Sequence, residues 1–408
     1  MGYSDNLHEN RMSIVLCITV ILNIYAQFLQ NLTGINSFVF VLLPLVAILL
    51  YALKQRVVSN NSIIFSCSYI LALIPILQMI IIGPDVQMVK YIIYVLLYLS
   101  LIPLVTIKSW LALKKCFFII GIMLDLDAIV HIPAILSSGL RIFNIKNMLI
   151  LDKPYYSLFL TITIVILLID LLYEINIKKG FAYLYIFISS IINILFMQSK
   201  SSLACLGIAV IILLINTRKK IKRKIIFFIF LVIFCVICFF IIFPNYVPDY
   251  INAFFYYLLN MSGNPTYDRY NITFDHRSAI SQFIGKVIRS NPLLGIGFGN
   301  YKNYTTIFME GYATQTESSL LNLFVEGGCI YGGIYIFLNL YLLYRLIQKR
   351  KYCFKSHVHI ELLIMYVLLF IFNIQNDFIS VYFWIIFAVL TAYTINTPKF
   401  MKLNIYER

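Results

Sequence analysis

The chain has 408 residues, of which 61% are apolar or aromatic and only 12% are charged, about half the charged fraction of a soluble domain. Such a composition excludes an ordinary water-soluble enzyme. The net charge of +15, from 32 Lys and Arg against 17 Asp and Glu, does not indicate a nucleic-acid partner, because no segment reads as a basic folded domain. Basic loops lying against an anionic membrane leaflet account for it.

Apolar runs of about 20 residues recur along the chain, each long enough to cross a hydrocarbon layer of about 30 Å at about 1.5 Å per residue. Residues 1–10 lack the basic start and small-residue cleavage site of a signal peptide, so the first run is expected to be a retained anchor. The runs predict spans at 12–30, 35–53, 62–83, 89–107, 116–136, 155–174, 181–197, 202–216, 225–243, 319–345, 359–376 and 378–395. The expected fold is therefore an all-α polytopic membrane protein with about 12 transmembrane helices and one large external loop containing amphipathic helical segments. Its parts are a bundle of about nine spans at 1–243, the loop at 244–318, and a bundle of about three spans with a tail at 319–408.

With both termini inside, 22 of the 32 Lys and Arg fall on the inner side. The densest groups are Arg218, Lys219, Lys220, Lys222, Arg223 and Lys224, then Arg345, Lys349, Arg350, Lys351 and Lys355. The positive-inside rule then orients the bundle and puts 244–318 outside. Cysteines fall mostly within apolar runs, and their spacing gives neither a disulfide framework nor a zinc site.

Three ionisable residues interrupt the fifth span: Asp125, Asp127 and His131. Charge inside a bilayer is expensive, so at least one of them should face an internal cavity. Asp127 and His131 are four residues apart and share a helix face, whereas Asp125 points about 200° from Asp127. That divergence disfavours a metal-binding Asp-x-Asp. A structural Asp127–His131 hydrogen bond is the plainer reading, with a cavity role for the pair as the alternative.

The external loop is long and lacks the composition of disorder, which marks it as the functional segment. Within it, Ile280, Phe283, Ile284, Val287 and Ile288 recur at helical spacing and predict an amphipathic helix. On that helix Arg277 lies about 60° from the apolar stripe and Arg289 about 180° from it. Asn291-Pro292 should end the helix. The following Gly295, Gly297 and Gly299 can turn backbone N–H groups toward an anion, although a plain tight turn has the same pattern. Arginines leading into it favour a phosphate, which guanidinium groups pair bidentately. Glu317 opens the tenth span, either as a group that takes a proton from a sugar hydroxyl or as an acid complementing the helix dipole. Glu326 lies about two turns deeper and needs a cavity or a partner there.

Arg277, the run from Pro292 through Leu293, Leu294 and the three glycines to Asn300 and Tyr301, then Glu317 and Glu326 to Gly328, resembles the external-loop pattern of the Wzy-type O-antigen and capsule polymerase and O-antigen ligase superfamily. Ser199-Lys200-Ser201 is similar to a Ser-Arg pair of that family, with Lys200 in place of Arg. Ligases of the superfamily usually carry His where Glu317 stands, so glutamate tilts the resemblance toward a polymerase.

The resemblance implies a glycosyltransferase of the bacterial cytoplasmic membrane that makes O-antigen or capsule. It would polymerise undecaprenyl-diphosphate-linked repeat units without metal or cofactor, with lipid-linked glycans as donor and acceptor. A chain-length regulator and a flippase are the protein partners it implies. Arg277 and Glu317 are the implied catalytic pair, and Arg277, Arg289, Gly295, Gly297 and Gly299 the diphosphate contacts. Lys200, Tyr301, Glu326, Asp127 and His131 are candidates for lining a substrate cavity. The alternatives are a ligase moving finished glycan to an acceptor and a lipid-linked oligosaccharide flippase. A flippase should show two similar halves and short outer loops, and neither is seen in this sequence.

Overall fold

A computed structural model describes residues 3–35, 37–55, 62–131, 133–134, 153–173, 179–193, 200–216, 219–242, 280, 282–308, 318–353, 357–375 and 381–395. Among these residues every regular element is a helix. In chain order they are α1 (Tyr3–Ile24), α2 (Ala26–Thr33), α3 (Ser37–Gln55), α4 (Ser62–Ile81), α5 (Val86–Leu101), α6 (Ile107–Val130), α7 (Lys153–Leu172), α8 (Lys179–Ile192), α9 (Lys200–Asn216) and α10 (Lys219–Ile242). Then come α11 (282–290), α12 (Tyr301–Phe308), α13 (Ser319–Cys353), α14 (His357–Gln375) and α15 (Val381–Ile395).

A helix underlies each predicted span. Among the described residues, three stretches are long and apolar enough by themselves to cross a membrane: Ile63–Ile81, Ser319–Lys349 and His357–Ile374. Large apolar side chains remain exposed on many helices. On α10, Phe227, Phe230, Phe234, Ile237 and Ile241 form one uncovered stripe at helical spacing. An apolar face of that extent belongs against lipid.

Two elements differ from the sequence expectation. The first span is two helices meeting at Tyr25, and α2 is closed by Gly34, whose N–H returns to the Gln30 carbonyl at 2.8 Å. Helix α6 begins at Ile107, nine residues before the predicted start at 116, and so takes in the charged stretch expected to be an inner loop. The reason is a buried partner: Trp110 and Lys114, one helical turn apart, both face Glu361 of α14. The Lys114 Nζ lies 2.6 Å from Glu361 Oε1, and the Trp110 indole N–H donates to Oε2 at 2.9 Å. Glu361 is fully buried, and this pairing is what makes it tolerable there.

The chain divides into two compact units, Met1–Ile119 with Lys286–Arg408, and Ile120–Gly285. In the first, α5 packs against α3, α4 and α15, and α13 against α4 and α14. Its core includes Tyr98, whose ring meets Phe387 at 5.3 Å and Trp384 at 5.6 Å. The Tyr98 hydroxyl is bonded to Thr391 at 2.9 Å. In the second unit α7 packs on α8 and α9, held by a buried polar knot. Ser157 donates to Asn193 at 2.6 Å, and Asn193 donates to Thr161 at 3.0 Å and Ser202 at 3.2 Å. Small hydroxyl and amide residues joining helices are the usual means of association where lipid removes the hydrophobic drive.

Candidate active site around a loop inserted into a broken helix

Helix α11 is amphipathic as expected: Ile280, Ile284 and Val287 are buried, while Gln282, Lys286 and Arg289 are exposed. It stops at Ser290, and Asn291-Pro292 leads into the glycine run. Gly295, Gly297 and Gly299 all take positive φ, at 68°, 91° and 91°. Gly295 lies against the tenth predicted span, α13, and the amides of Gly297 and Gly299 bond to Glu326 on the same helix.

That helix is broken at Gly328, where φ is 74° and ψ is 178°. In an unbroken helix the amides of Cys329 and Ile330 would close on the carbonyls of Val325 and Glu326. Instead the loop inserts. Cys329 donates to the Pro292 carbonyl at 2.8 Å and Ile330 to Leu293 at 3.4 Å, while Ile296 donates to Val325 and Gly297 to Glu326, both at 3.0 Å. Two ladder bonds are exchanged for four. Backbones this close leave no room for side chains: a Cβ at 295 would sit 2.5 Å from the Glu326 carbonyl oxygen, and one at 328 would collide with the Leu293 carbonyl.

Two side chains complete the joint. Gln78, fully buried on α4, donates to the carbonyls of Leu294 at 2.5 Å and Glu326 at 2.7 Å, and accepts from the Phe298 N–H at 3.3 Å. Glu326 turns its carboxylate into the loop. Its Oε1 accepts from the N–H of Gly299 at 3.1 Å and of Tyr301 at 3.2 Å, and its Oε2 from the Asn322 amide at 3.2 Å. Below them Phe298 stacks on Tyr91 at 4.1 Å and meets Tyr331 edge-on at 4.9 Å. Of the three glycine amides, that of Gly299 turns toward an anion, together with the Tyr301 N–H, and that anion is the Glu326 carboxylate of the same chain.

This geometry changes how the glycines serve the site. Expected as diphosphate contacts through their amides, Gly295, Gly297 and Gly299 have those amides bonded to Asn291, Glu326 and the Glu326 carboxylate. Tyr301, expected near a substrate cavity, is 2% exposed and opens α12 with its own N–H on Glu326. Arg289, one residue before the end of α11, is exposed. Ser318 caps α13, its Oγ accepting from Leu321 at 3.4 Å, and so fixes the chain one residue after Glu317. Arg277 and Glu317 themselves lie outside the described residues.

The segment from α8 through the broken helix is the part that compares with known proteins. Residues 185–337 match the O-antigen ligase family model, Wzy_C. The O-antigen ligase match covers α11, the glycine run and Glu326 to Gly328, the residues on which the resemblance was read, and it bears that resemblance out. Its members are glycan-transferring enzymes of polysaccharide assembly. No curated protein matches the chain.

The second unit contains the other expected residues. His131 Nδ1 lies 3.3 Å from Asp127 Oδ1 and 2.8 Å from the Asp127 carbonyl, the intrahelical pairing expected from their spacing. Asp127 also receives the Tyr156 hydroxyl at 3.4 Å, whereas Asp125 accepts from Ser189 on α8. The two carboxylates thus serve different helices. Lys200 is the first residue of α9, two positions before Ser202 of the buried knot, and its side chain is not among those described. Sequence reasoning missed Gln78, Asn322 and the Trp110–Lys114–Glu361 group. A lone amide in an apolar run was the available signal for Gln78.

Proposed function

We propose that the chain polymerises undecaprenyl-diphosphate-linked repeat units into surface polysaccharide, O-antigen or capsule, on the outer face of the bacterial cytoplasmic membrane. It crosses that membrane about 12 times, with both termini cytoplasmic. The observation that carries the reading is the family match over 185–337, which contains the arginine helix, the inserted glycine loop and the acid-opened α13 in one stretch.

In this reading the acceptor sugar hydroxyl attacks the anomeric carbon of the donor glycan. The new glycosidic bond forms as the bond to the diphosphate breaks, and the lipid diphosphate leaves with the electron pair. Glu317 positions the hydroxyl and takes its proton. Arg277, with Arg289 as the weaker second, stabilises the charge that builds on the diphosphate. The joint described above supports this division of labour. It fixes the chain just after Arg289, the Ser318 cap fixes it just after Glu317, and the amides of the joint are already occupied, which leaves guanidinium groups as the diphosphate ligands. The leaving diphosphate supplies the driving force, so the step needs no nucleotide sugar. A flippase and a chain-length regulator are the expected partners.

A ligase is the second reading, favoured by the description of the matching family; glutamate rather than histidine at 317 favours the polymerase. Deleting the gene and running surface polysaccharide on a gel separates them. Single repeat units on the acceptor support a polymerase, unattached long polymer a ligase, and intermediates held on the inner face a flippase.

A further inference from the structure

The Glu326 carboxylate is 5% exposed at the depth of a broken transmembrane helix, and three N–H donors converge on it. Two of these donors belong to the loop and the start of α12, and the third to the turn of α13 above it. It is therefore bonded to the segment that follows Arg289 and to the helix that follows Glu317. A carboxylate that spends its lone pairs on backbone and amide N–H groups has little capacity left for accepting a substrate proton. It does have the geometry to hold the loop that follows the arginine helix against α13.

We infer that Glu326 is a positioning residue for the proposed glycan transfer: by accepting the Gly299 and Tyr301 amides it fixes the loop that follows α11, and it acts on the reaction through Arg289 near the end of that helix. The inference rests on the proposed function for its activity readout, and on the described geometry alone for its structural one. Both loop amides bond to one oxygen, Oε1. A glutamine at 326 keeps an acceptor there, and by turning the Asn322 amide it can keep the third bond. An aspartate keeps the charge, but its carboxylate is one methylene short of the loop.

Positioning and proton transfer therefore predict opposite orders. If Glu326 positions, Glu326→Gln retains most of the transfer rate per molecule of folded protein, and Glu326→Asp loses about tenfold, the effect of one charge-assisted bond and no more than Arg289→Ala loses. If it carries a proton, Asp exceeds Gln. The assay uses full-length protein in membrane vesicles with lipid-linked repeat unit extracted from the deletion strain as donor, read as donor consumed. A second arm pairs Glu326→Asp with Arg289→Ala. Acting through the arginine, the double variant is no slower than Arg289→Ala alone, whereas a merely structural loss multiplies with it.

A third arm needs no activity. Trypsin cleavage after the exposed Arg289 and Lys302 in detergent rises about tenfold in Glu326→Asp, because the loop opens for cutting in proportion to the bonds lost. It stays near wild type in Glu326→Gln. Gln above Asp, non-multiplying effects and selective proteolysis of Asp are the expected results. Asp at or above Gln in transfer, or equal proteolysis of the two, overturns the inference. If wild-type vesicles consume no donor while proteolysis separates the variants, the positioning geometry stands and the proposed function fails.

Discussion

Gly328→Ala tests the insertion of the loop into α13 directly. Gly328 holds φ 74° and ψ 178°, a region essentially reserved for glycine that costs another residue about 1–3 kcal/mol. The added Cβ would also collide with the Leu293 carbonyl. The alternative is to straighten α13 and release the loop, which loses four backbone bonds and regains two, about 1–3 kcal/mol at about 0.5–1.5 per net bond. Gln78, fully buried, then loses its three bonds to Leu294, Glu326 and Phe298, a further ~1–3 kcal/mol for polar groups left unmatched. Both routes cost about 2 kcal/mol or more, so the thermal midpoint of the purified protein in detergent should fall by on the order of 5 °C. Gly333→Ala is the control, since a Cβ there meets nothing within 4 Å, and it should leave the midpoint unchanged. A Gly328→Ala protein with the wild-type midpoint and an unaltered tryptic pattern would refute the insertion.

Lys114→Met should destabilise the first unit by about 3–5 kcal/mol by leaving the Glu361 carboxylate buried without its cation. Adding Glu361→Leu should recover much of that, and unfolding curves of the single and double variants compare them. Arg277→Ala should abolish chain elongation with normal membrane levels of protein, and Arg289→Ala should slow it about tenfold, the value of one charge-assisted contact; polymer length on gels and immunoblots measure both. Single cysteines placed between 277 and 317 should react with an impermeant thiol reagent added to whole cells. Labelling only after the inner face is opened would remove the donor from reach of Arg277 and end the mechanism.

The helices were legible because apolar runs of bilayer length are the strongest signal such a chain carries. The early start of α6 was not, because Lys108, Lys114 and Lys115 look like an inner loop to any rule that counts charge. Only the approach of Glu361, some 250 residues later, makes Lys114 a helix residue, and long-range pairing leaves no local trace. The Asp127–His131 pairing was readable because both groups lie on one helix, where spacing fixes geometry. Glu326 shows both sides. Its cost in a span announced a partner, but the partners are amides of Gly299 and Tyr301, which no residue type advertises.

The glycine run carries the more general lesson. Alternating glycines lead to an amide-lined turn that suits an anion, and sequence alone cannot distinguish a phosphate from a carboxylate of the same chain. The difference matters for the chemistry. A nest left open for substrate must be desolvated when the diphosphate arrives, and its loop is ordered only then, at the expense of binding free energy. A nest filled by Glu326 and backed by Gln78 is ordered beforehand. In the proposed mechanism phosphate recognition then falls to Arg277 and Arg289, both of which precede the fixed loop in the chain. In that proposal the cations act where charge develops, on the departing diphosphate, while the glycines hold the loop in place and offer the substrate no amide.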